Sequence, residues 1–299
     1  MRLATYSIDG SDRRACLVVD GGVVDIERSS GGTLPDSLLP LLQRPGWLGE
    51  LHGLLASNPE VNHALESVRL HQPIDRPGKI LAAAGNYQAH VTEGGGTEVD
   101  VRRRTPRIFL KPSSALIGPD DPVVLPRVSN EVDWELELAV VIGSRGRDVP
   151  VESALDYVAG YTIVNDVSAR SMEWGIDDRE VHDWDRFFDW LAGKWVDTFA
   201  PTGPWIVTAD EMPDPHALAV RLELNGELMQ DASTETMLFD SADLIAYISR
   251  FTVLEPGDII ATGTPAGVGA AIGRYLEAGD VMVGTIEGVG TLRTPVVAS

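Results

Sequence analysis

The chain has 299 residues, of which 43% are hydrophobic and 23% are charged, which is typical of a folded globular protein and excludes a disordered one. Its formal net charge of -21 at pH 7 argues against nucleic acid and membrane partners, because phosphate backbones and anionic lipids are also negative. The single cysteine, Cys16, excludes an intrachain disulfide and any metal site built from several cysteines. An anionic substrate would therefore need a local cationic site.

The sequence predicts neither a secretory signal peptide nor a membrane span. Residues 1–14 lack the apolar core of a signal peptide, and no apolar run approaches the roughly 18 residues of a membrane span. We therefore expect a cytoplasmic location.

The first 72 residues predict a small N-terminal α+β domain. Alternating runs at 3–8, 15–19 and 23–26, with glycines at the last turn, indicate an antiparallel meander. Apolar residues at helical spacing follow between 34 and 70. A proline-rich stretch at 73–77 then places the domain boundary, which leaves 73–299 as a second domain.

The second domain is predicted to be mostly sheet with a few helices, so the whole chain is expected to be mostly β with α, in the α+β class. Asn225-Gly226 between two apolar runs is the strongest hairpin signal. Helical patterns occur at 153–157, from Ser168 onward, and at 241–251. The β-type runs are 107–110, 123–125, 134–142, 161–164, 205–207, 217–224, 258–261 and 281–286.

Two glutamates are the first candidate functional residues. On a strand, Glu135 and Glu137 project from one face, whereas Trp134, Leu136 and Leu138 fill the other. Two adjacent carboxylates repel each other unless a cation stands between them. The alternative is an exposed edge strand whose glutamates are simply solvated.

A third carboxylate, Asp166, ends the apolar run 161–165. Three carboxylates without a nearby histidine or cysteine favour a hard cation such as magnesium or manganese over zinc. The alternative for Asp166 is a cap of a helix that begins at about Ser168.

A candidate general base precedes these acids. In a helix, His90 and Glu93 lie at i and i+3, so the carboxylate can orient the imidazole and raise its basicity. Gly94-Gly95-Gly96 would let the segment move as a hinged lid. The chain has six histidines, so a histidine near a glutamate also arises by chance.

Two cations, Lys194 and Arg170, are candidates to neutralise a substrate carboxylate or enolate, although surface solvation is the ordinary role of a lysine. The segment 261–269 follows a strand and offers backbone N–H groups and a hydroxyl at a pocket rim. It matches neither a P-loop nor a dinucleotide fingerprint, and it could be only a loop.

From about Lys79 to the C-terminus, these segments in this order resemble the fumarylacetoacetate hydrolase family. The resemblance implies a rolled mixed β-sheet catalytic domain that is commonly dimeric. The matching pieces are Asn86-Tyr87 with His90 and Glu93, residues 109–114, the Glu135-x-Glu137 strand, residues 165–170, Gly193-Lys194 with Asp197-Thr198, residues 203–205, and the glycine-rich run 263–269.

The resemblance also implies roles for individual residues. It implies that one Mg²⁺ or Mn²⁺ per subunit is bound by Glu135, Glu137 and Asp166. His90 and Glu93 would form a base dyad that lid closure orders, Lys194 and Arg170 would contact the substrate, and Thr264 would supply the loop hydroxyl. Glu173 stands where the family often has a neutral amide at the substrate, and residues 174–190 are unusually acidic and aromatic. Both departures bear on the identity of the substrate.

The implied reaction is hydrolysis of a C–C bond in a small 2,4-dioxo acid, such as an acylpyruvate or a fumarylacetoacetate-like compound, through an enolate that the cation stabilises. His90 would deprotonate the attacking water, and Lys194 would stabilise the developing negative charge. Decarboxylation, isomerisation or hydration of a related 2-oxo acid would use the same site. A binding protein without catalysis is the third interpretation. The expected partner is a small anionic 2-oxo acid, with the chain as a homodimer.

Overall fold

The computed structural model describes all 299 residues. The strands are β1 (Arg2–Ser7), β2 (Arg14–Val19), β3 (Gly22–Asp25), β4 (Arg69–His71), β5 (Ile80–Ala84), β6 (Arg107–Lys111), β7 (Leu116–Ile117), β8 (Val123–Val124), β9 (Val132–Asp133), β10 (Leu136–Ile142), β11 (Val158–Asn165), β12 (Ser168–Ala169), β13 (Ala200–Thr208), β14 (Ala219–Leu224), β15 (Glu227–Ser233), β16 (Ile259–Ala261), β17 (Val281–Ile286) and β18 (Gly290–Val297).

The helices are short and lie between the strands. The α-helices are α1 (Ile26–Ser29), α2 (Leu38–Leu42), α3 (Trp47–Ala56), α4 (Gln88–Glu93), α5 (Asp183–Gly193), α6 (Ser241–Ser249) and α7 (Gly269–Ile272). The 3₁₀ helices are Leu65–Ser67, Val101–Arg103, Ser113–Ala115, Val151–Tyr157, Ala209–Glu211 and Thr234–Thr236. None of the helices combines the length and the apolar character that crossing a lipid bilayer requires.

The largest sheet has 11 strands, in the order β3-β2-β1-β13-β11-β10-β16-β5-β6, with β4 beside β1 and β7 beside β13. It is mixed, because β16 pairs with β5 in parallel and β13 pairs with β7 in parallel, whereas β10 and β11 are antiparallel. A second sheet has five strands in the order β15-β14-β17-β18-β8. Residues of both sheets contribute to one core of 32 buried residues. The predicted α+β class is confirmed.

Strand β10 lies near the middle of the large sheet, and all seven of its residues are buried. Both faces of the strand are covered, which accounts for the continuous apolar run that follows Glu137. The predicted hairpin is also confirmed: Asn225 (φ 53°) and Gly226 (φ 82°) join β14 to β15 with two positive φ values.

The N-terminal strands form the predicted meander, and they also extend the large sheet. Strand β1 pairs with β13, with Arg2 opposite Val207 and Leu3 opposite Ile206. A second core of 17 residues lies under α2 and α3 and includes side chains of β10, β11 and β13. The first 72 residues therefore pack directly against the sheet, and a boundary at residue 73 stays a prediction.

The helix predicted from Ser168 onward is wrong. Ser168–Ala169 is a short strand that pairs with β9, and the backbone N–H of Arg170 donates to the carbonyl of Glu131 at 2.8 Å. The extended path is stabilised by this pairing, which local helical spacing cannot show. Since no helix begins there, the alternative of Asp166 as a helix cap is also wrong. Strands β4, β5, β7, β9 and β18 were absent from the predicted runs.

Candidate active site

The three predicted metal ligands meet at the ends of two neighbouring strands. Glu137 lies on β10, Glu135 precedes it, and Asp166 follows β11. Carboxylate oxygens of all three residues lie within 4.8 Å of one another, and all three side chains are buried. The backbone N–H of Asp166 donates to the carbonyl of Glu135 at 2.8 Å, and that of Glu135 donates to the Asn165 side-chain oxygen at 2.9 Å. The backbone therefore fixes the two strand ends together.

Two buried ammonium groups bind the same carboxylates. Lys194 Nζ donates to Asp166 Oδ2 at 2.6 Å and to Glu135 Oε2 at 2.8 Å, and Lys111 Nζ donates to Asp166 Oδ1 at 2.5 Å. Burial lowers the pKa of Lys194, but the charges of Asp166 and Glu135 outweigh it and raise the pKa above its ordinary value. For Lys111, burial dominates and lowers the pKa. Lys194 is therefore engaged within the cluster and is not a free surface cation.

Arg170 adds a third cation to this cluster. Its Nη2 lies 2.6 Å from Glu135 Oε1, and its Nε donates to Asp133 Oδ2 at 2.8 Å. Burial by itself raises the pKa of Glu135, but Lys194 and Arg170 outweigh it and hold that pKa well below the ordinary value. Glu135 is thus kept as a carboxylate.

Glu137 differs from the other carboxylates in having no cationic partner. Asp133, Glu135, Glu137 and Asp166 face three cations, and no ion pair reaches Glu137, whose Oε2 accepts a hydrogen bond from the backbone N–H of Gly263 at 2.7 Å. Burial, followed by the charges of Asp166 and Glu135, raises the pKa of Glu137 well above its usual range. With every group ionised, the four carboxylates would exceed the three cations by one negative charge, and Glu137, with its raised pKa, is the carboxylate that binds a proton most readily. An all-oxygen donor set with this excess fits a hard divalent cation.

The His90–Glu93 pair forms on α4, as the spacing predicts. His90 Nδ1 and Glu93 Oε1 are 2.8 Å apart, and each side chain is 18% exposed. Glu93 Oε2 also accepts a hydrogen bond from the backbone N–H of Gly267 at 2.8 Å. The loop that donates to Glu137 through Gly263 therefore also holds the pair. A positive charge on His90 lowers the pKa of Glu135, so the imidazole lies within electrostatic range of the carboxylates.

A cavity of about 1360 Å³ opens beside this pair. His90, Glu93 and Arg170 contribute to its wall. Most of the other lining residues are apolar, with aromatic rings from β6 and α5 among them. The cavity therefore offers a charged end and an apolar body.

Thr264 and Glu173 are the other residues predicted to contact substrate, and that contact stays a prediction. The Thr264 hydroxyl is buried, donates to the carbonyl of Leu136 at 3.0 Å and accepts from Gln230 at 2.8 Å, so its proton is used within the protein. Glu173 is exposed, and its carboxylate accepts from the Asn130 side chain at 3.2 Å. Neither residue is part of the cavity wall.

Lys111 and Asp133 are members of the cluster to which the sequence interpretation gave no role. Asp133 accepts from Arg170 and also from the backbone N–H groups of Gly269 and Ala270, at 2.6 and 3.0 Å. Two sequence signals were available. Asp133 continues the period of two that Glu135 and Glu137 begin, and the chain has only three lysines, of which Lys111 directly ends a β-type run.

The family model described as "Fumarylacetoacetate (FAA) hydrolase C-terminal" matches residues 79–297. The chain belongs to the fumarylacetoacetate hydrolase family. The match covers the carboxylates, the base pair and all the lysines, and it begins just before β5. This family consists of enzymes, and its other members indicate the range of reactions to consider.

Relatives of this chain carry different activities. It is 40% identical over 280 residues to a bovine protein described as mitochondrial oxaloacetate tautomerase FAHD2B. The match covers 93% of this chain and 84% of the bovine protein. Maleylpyruvate hydrolase from Sphingobium sp. SYK-6, solved with manganese(II) and pyruvate, is 35% identical with a TM-score of 0.79 over the whole of both chains. A 5-carboxymethyl-2-hydroxymuconate delta-isomerase from Mycobacterium smegmatis is also 35% identical, with a TM-score of 0.74 over 100% of this chain and 99% of that one.

Proposed function

We propose that this protein is a divalent-metal-dependent hydrolase that cleaves a C–C bond in a small 2,4-dioxo acid. The observation that carries the proposal is a histidine–glutamate pair at the edge of a buried cluster of three carboxylates. The volume of the cavity beside the pair, about 1360 Å³, favours a substrate larger than oxaloacetate.

In this proposal, Glu135, Glu137 and Asp166 hold one Mg²⁺ or Mn²⁺ per chain. The all-oxygen donor set supports this choice, and so does the Glu137 carboxylate, which has a backbone N–H and no side-chain cation as its partner. When bound, the cation supplies Lewis-acid stabilisation of the negative charge that develops on the substrate oxygens. The manganese and pyruvate in the Sphingobium hydrolase are consistent with a site of this type.

His90 acts as the general base. Glu93 holds Nδ1, so Nε2 is the nitrogen that takes a proton from water. The water oxygen attacks C4 of the dioxo acid, the C3–C4 bond breaks, and its electron pair passes to C3 as a pyruvate enolate. The proton on His90 then returns to C3. The products are a carboxylic acid and pyruvate. Lys194 stabilises the added charge and keeps Glu135 and Asp166 in position.

Tautomerisation is the second candidate, because the bovine oxaloacetate tautomerase is 40% identical over nearly the whole chain. The same histidine would take a proton from the enol oxygen and return it to carbon without an attacking water. Decarboxylation and hydration of a 2-oxo acid would also begin from this arrangement. Product identification separates these reactions.

The first experiment assays acetylpyruvate and oxaloacetate with Mg²⁺ or Mn²⁺ and identifies the products. Release of acetate together with pyruvate supports the hydrolase. A change between enol and keto forms without cleavage would instead make the protein a tautomerase, and loss of CO₂ would make it a decarboxylase.

The second experiment replaces the base. His90→Ala is expected to lower turnover by about 10²- to 10⁴-fold, the usual contribution of a general base, and to leave metal affinity unchanged. His52→Ala is the matched control, because His52 is an exposed residue of α3 that pairs with Asp210. If His90→Ala turns over substrate at the normal rate, the pair is not the base.

A homodimer and a cytoplasmic location remain predictions for this chain. Light scattering of the purified protein would test the first, and fractionation of cells that express it would test the second.

A further inference from the structure

We propose that the cavity is a distal subsite that selects 2,4-dioxo acids whose acyl end is an aromatic ring or an apolar chain. The inference rests on the proposed function in one respect, since it takes the carboxylate cluster to hold the dioxo acid head. It goes beyond that function by assigning the other end of the substrate.

The apolar wall begins directly at the charged cluster. Lys194 Nζ, which binds Glu135 and Asp166, lies 5.1 Å from the centre of the Phe109 ring and 5.9 Å from that of the Trp190 ring. A substrate whose dioxo acid end contacts these carboxylates therefore lies next to the rings of Phe109 and Trp190. The cavity wall itself includes Arg170, which binds Glu135, and the His90–Glu93 pair, so the cavity borders the site on two sides.

Three aromatic residues continue outward from that point. Phe109 packs edge-on against Trp190, with ring centres 5.2 Å apart, and Trp190 stacks on Phe187 at 6.0 Å with an interplanar angle of 30°. Phe109 is 8% exposed and Phe187 is 47% exposed, so the row runs from the buried site to the open mouth. Such a row can take up a flat ring or a flexible chain by stacking and burial.

The charges of the wall are already paired, with one exception. Lys79 binds Asp258 at 2.6 Å, Arg170 binds Asp133 and Glu135, and His90 binds Glu93. Arg107, at the exposed start of β6, is the lining charge that makes no ion pair. A distal carboxylate would therefore find no buried partner along the wall, whereas an apolar group would lose no hydrogen bond there.

The test compares binding and turnover separately. Calorimetry with 4-phenyl-2-oxobutanoate and 2-oxobutanoate measures the subsite alone, because neither compound has a 4-oxo group to be attacked. We expect the phenyl compound to bind at least about tenfold more tightly than 2-oxobutanoate, because an apolar pocket discriminates by this order when it buries additional apolar groups. In turnover, benzoylpyruvate is expected to exceed acetylpyruvate in kcat/KM by a similar factor.

Two neighbouring phenylalanines of α5 give a matched pair of variants. Phe187 lines the cavity, whereas Phe188 is 57% exposed and does not. Phe187→Ala is expected to reduce the phenyl preference at least about threefold with 2-oxobutanoate binding unchanged, and Phe188→Ala is expected to leave the preference intact. Because Phe187 is half exposed, its loss leaves the core packing in place.

The outcomes distinguish this inference from the proposed function. Tight phenyl binding without cleavage of either dioxo acid supports the subsite and overturns the hydrolase. Cleavage with equal affinity for both oxo acids supports the hydrolase and overturns the subsite. Tighter binding of 2-oxoadipate, which has a distal carboxylate, would also overturn the subsite. The subsite would also be overturned if Phe187→Ala lowered the oligomeric mass in solution and left the phenyl preference unchanged. Phe187 would then contact a second copy of the chain rather than substrate.

Discussion

The carboxylate cluster and the His90–Glu93 pair share one site, yet they are built in opposite ways. The carboxylates lie at the ends of central strands, are buried, and are connected by several hydrogen bonds and ion pairs. The base pair lies on α4, a six-residue helix followed by three glycines, and is bound to the rest of the site through one backbone N–H of the 263–269 loop.

This difference suggests a division of roles. A site that collects charge in a low-dielectric core has to be preorganised, because moving a buried charge is costly. A base that must admit and release substrate can lie on a segment with fewer contacts. The cluster should therefore respond to substitution with large losses of activity and stability, whereas α4 should respond in turnover alone.

The largest effect is expected from Asp166→Asn. The amide removes the charge that both Lys111 and Lys194 bind, and it weakens the proposed metal site. We expect activity to fall about a thousandfold, together with a loss of Mg²⁺ affinity measured by calorimetry. Asp156→Asn, at an exposed position of a 3₁₀ helix, is the control. Normal Mg²⁺ affinity in Asp166→Asn would remove Asp166 from the ligand set.

Lys194→Met tests the rigidity of the cluster. It leaves Glu135 and Asp166 without the ammonium that binds both, so the free energy of unfolding should fall by about 3–5 kcal/mol. Arg145→Met, which breaks the exposed pair with Glu255, should cost no more than about 1 kcal/mol. Urea unfolding measures both values. Equal losses in the two variants would contradict a tightly coupled cluster.

The pH dependence of stability tests the excess charge at Glu137. Its folded-state pKa lies above the unfolded value of about 4.3, so the folded state binds the proton more tightly. Its contribution to stability is complete below that value and is lost as pH rises through the raised pKa. With a chelator present, wild type should lose about 1.4 kcal/mol per unit of pKa shift relative to Glu137→Gln as pH increases.

Unfolding midpoints of the two proteins, measured at several pH values with chelator and then with Mg²⁺, check this prediction. A bound cation should suppress the difference, because it neutralises the carboxylate. Parallel pH profiles in the presence of chelator would show that Glu137 is not the strained member of the cluster.

The smallest effect is expected from a backbone change just after the helix that carries the base. A Cβ at Gly96 would meet the carbonyl oxygen of Val91 at 2.7 Å, so Gly96→Ala should displace the end of α4 and lower kcat about tenfold or less. Metal affinity should stay unchanged. Gly53→Ala in α3, where nothing lies within 4 Å, is the neutral control. A drop in metal affinity in Gly96→Ala would contradict the division of roles.

The sequence was sufficient for features whose cause is local. The meander, the Asn225-Gly226 hairpin and the i, i+3 geometry of His90 and Glu93 all depend on neighbouring residues, and each is present. The position of the three carboxylates came from their order along the chain and from the family resemblance, and the two strand ends do bring them together.

Features that depend on distant residues were missed. The segment after Asp166 is a strand because residues 131–133 pair with it, and its own composition does not reveal that partner. Lys111 and Lys194 are 83 positions apart and converge only through the fold. The hydrogen bonds of the Thr264 hydroxyl with Leu136 and Gln230 also join distant positions, and its contact with substrate stays a prediction.

The pairing of β1 with β13 would be lost if the N-terminal residues were removed. A fragment that begins at residue 73 would keep β13 and lose the strand that covers its edge near Ile206 and Val207. The backbone groups there would be unpaired and flanked by apolar side chains, which is the template that promotes edge-to-edge association between chains. The first strand of the chain thus protects the catalytic sheet against aggregation, in addition to its part in the N-terminal core.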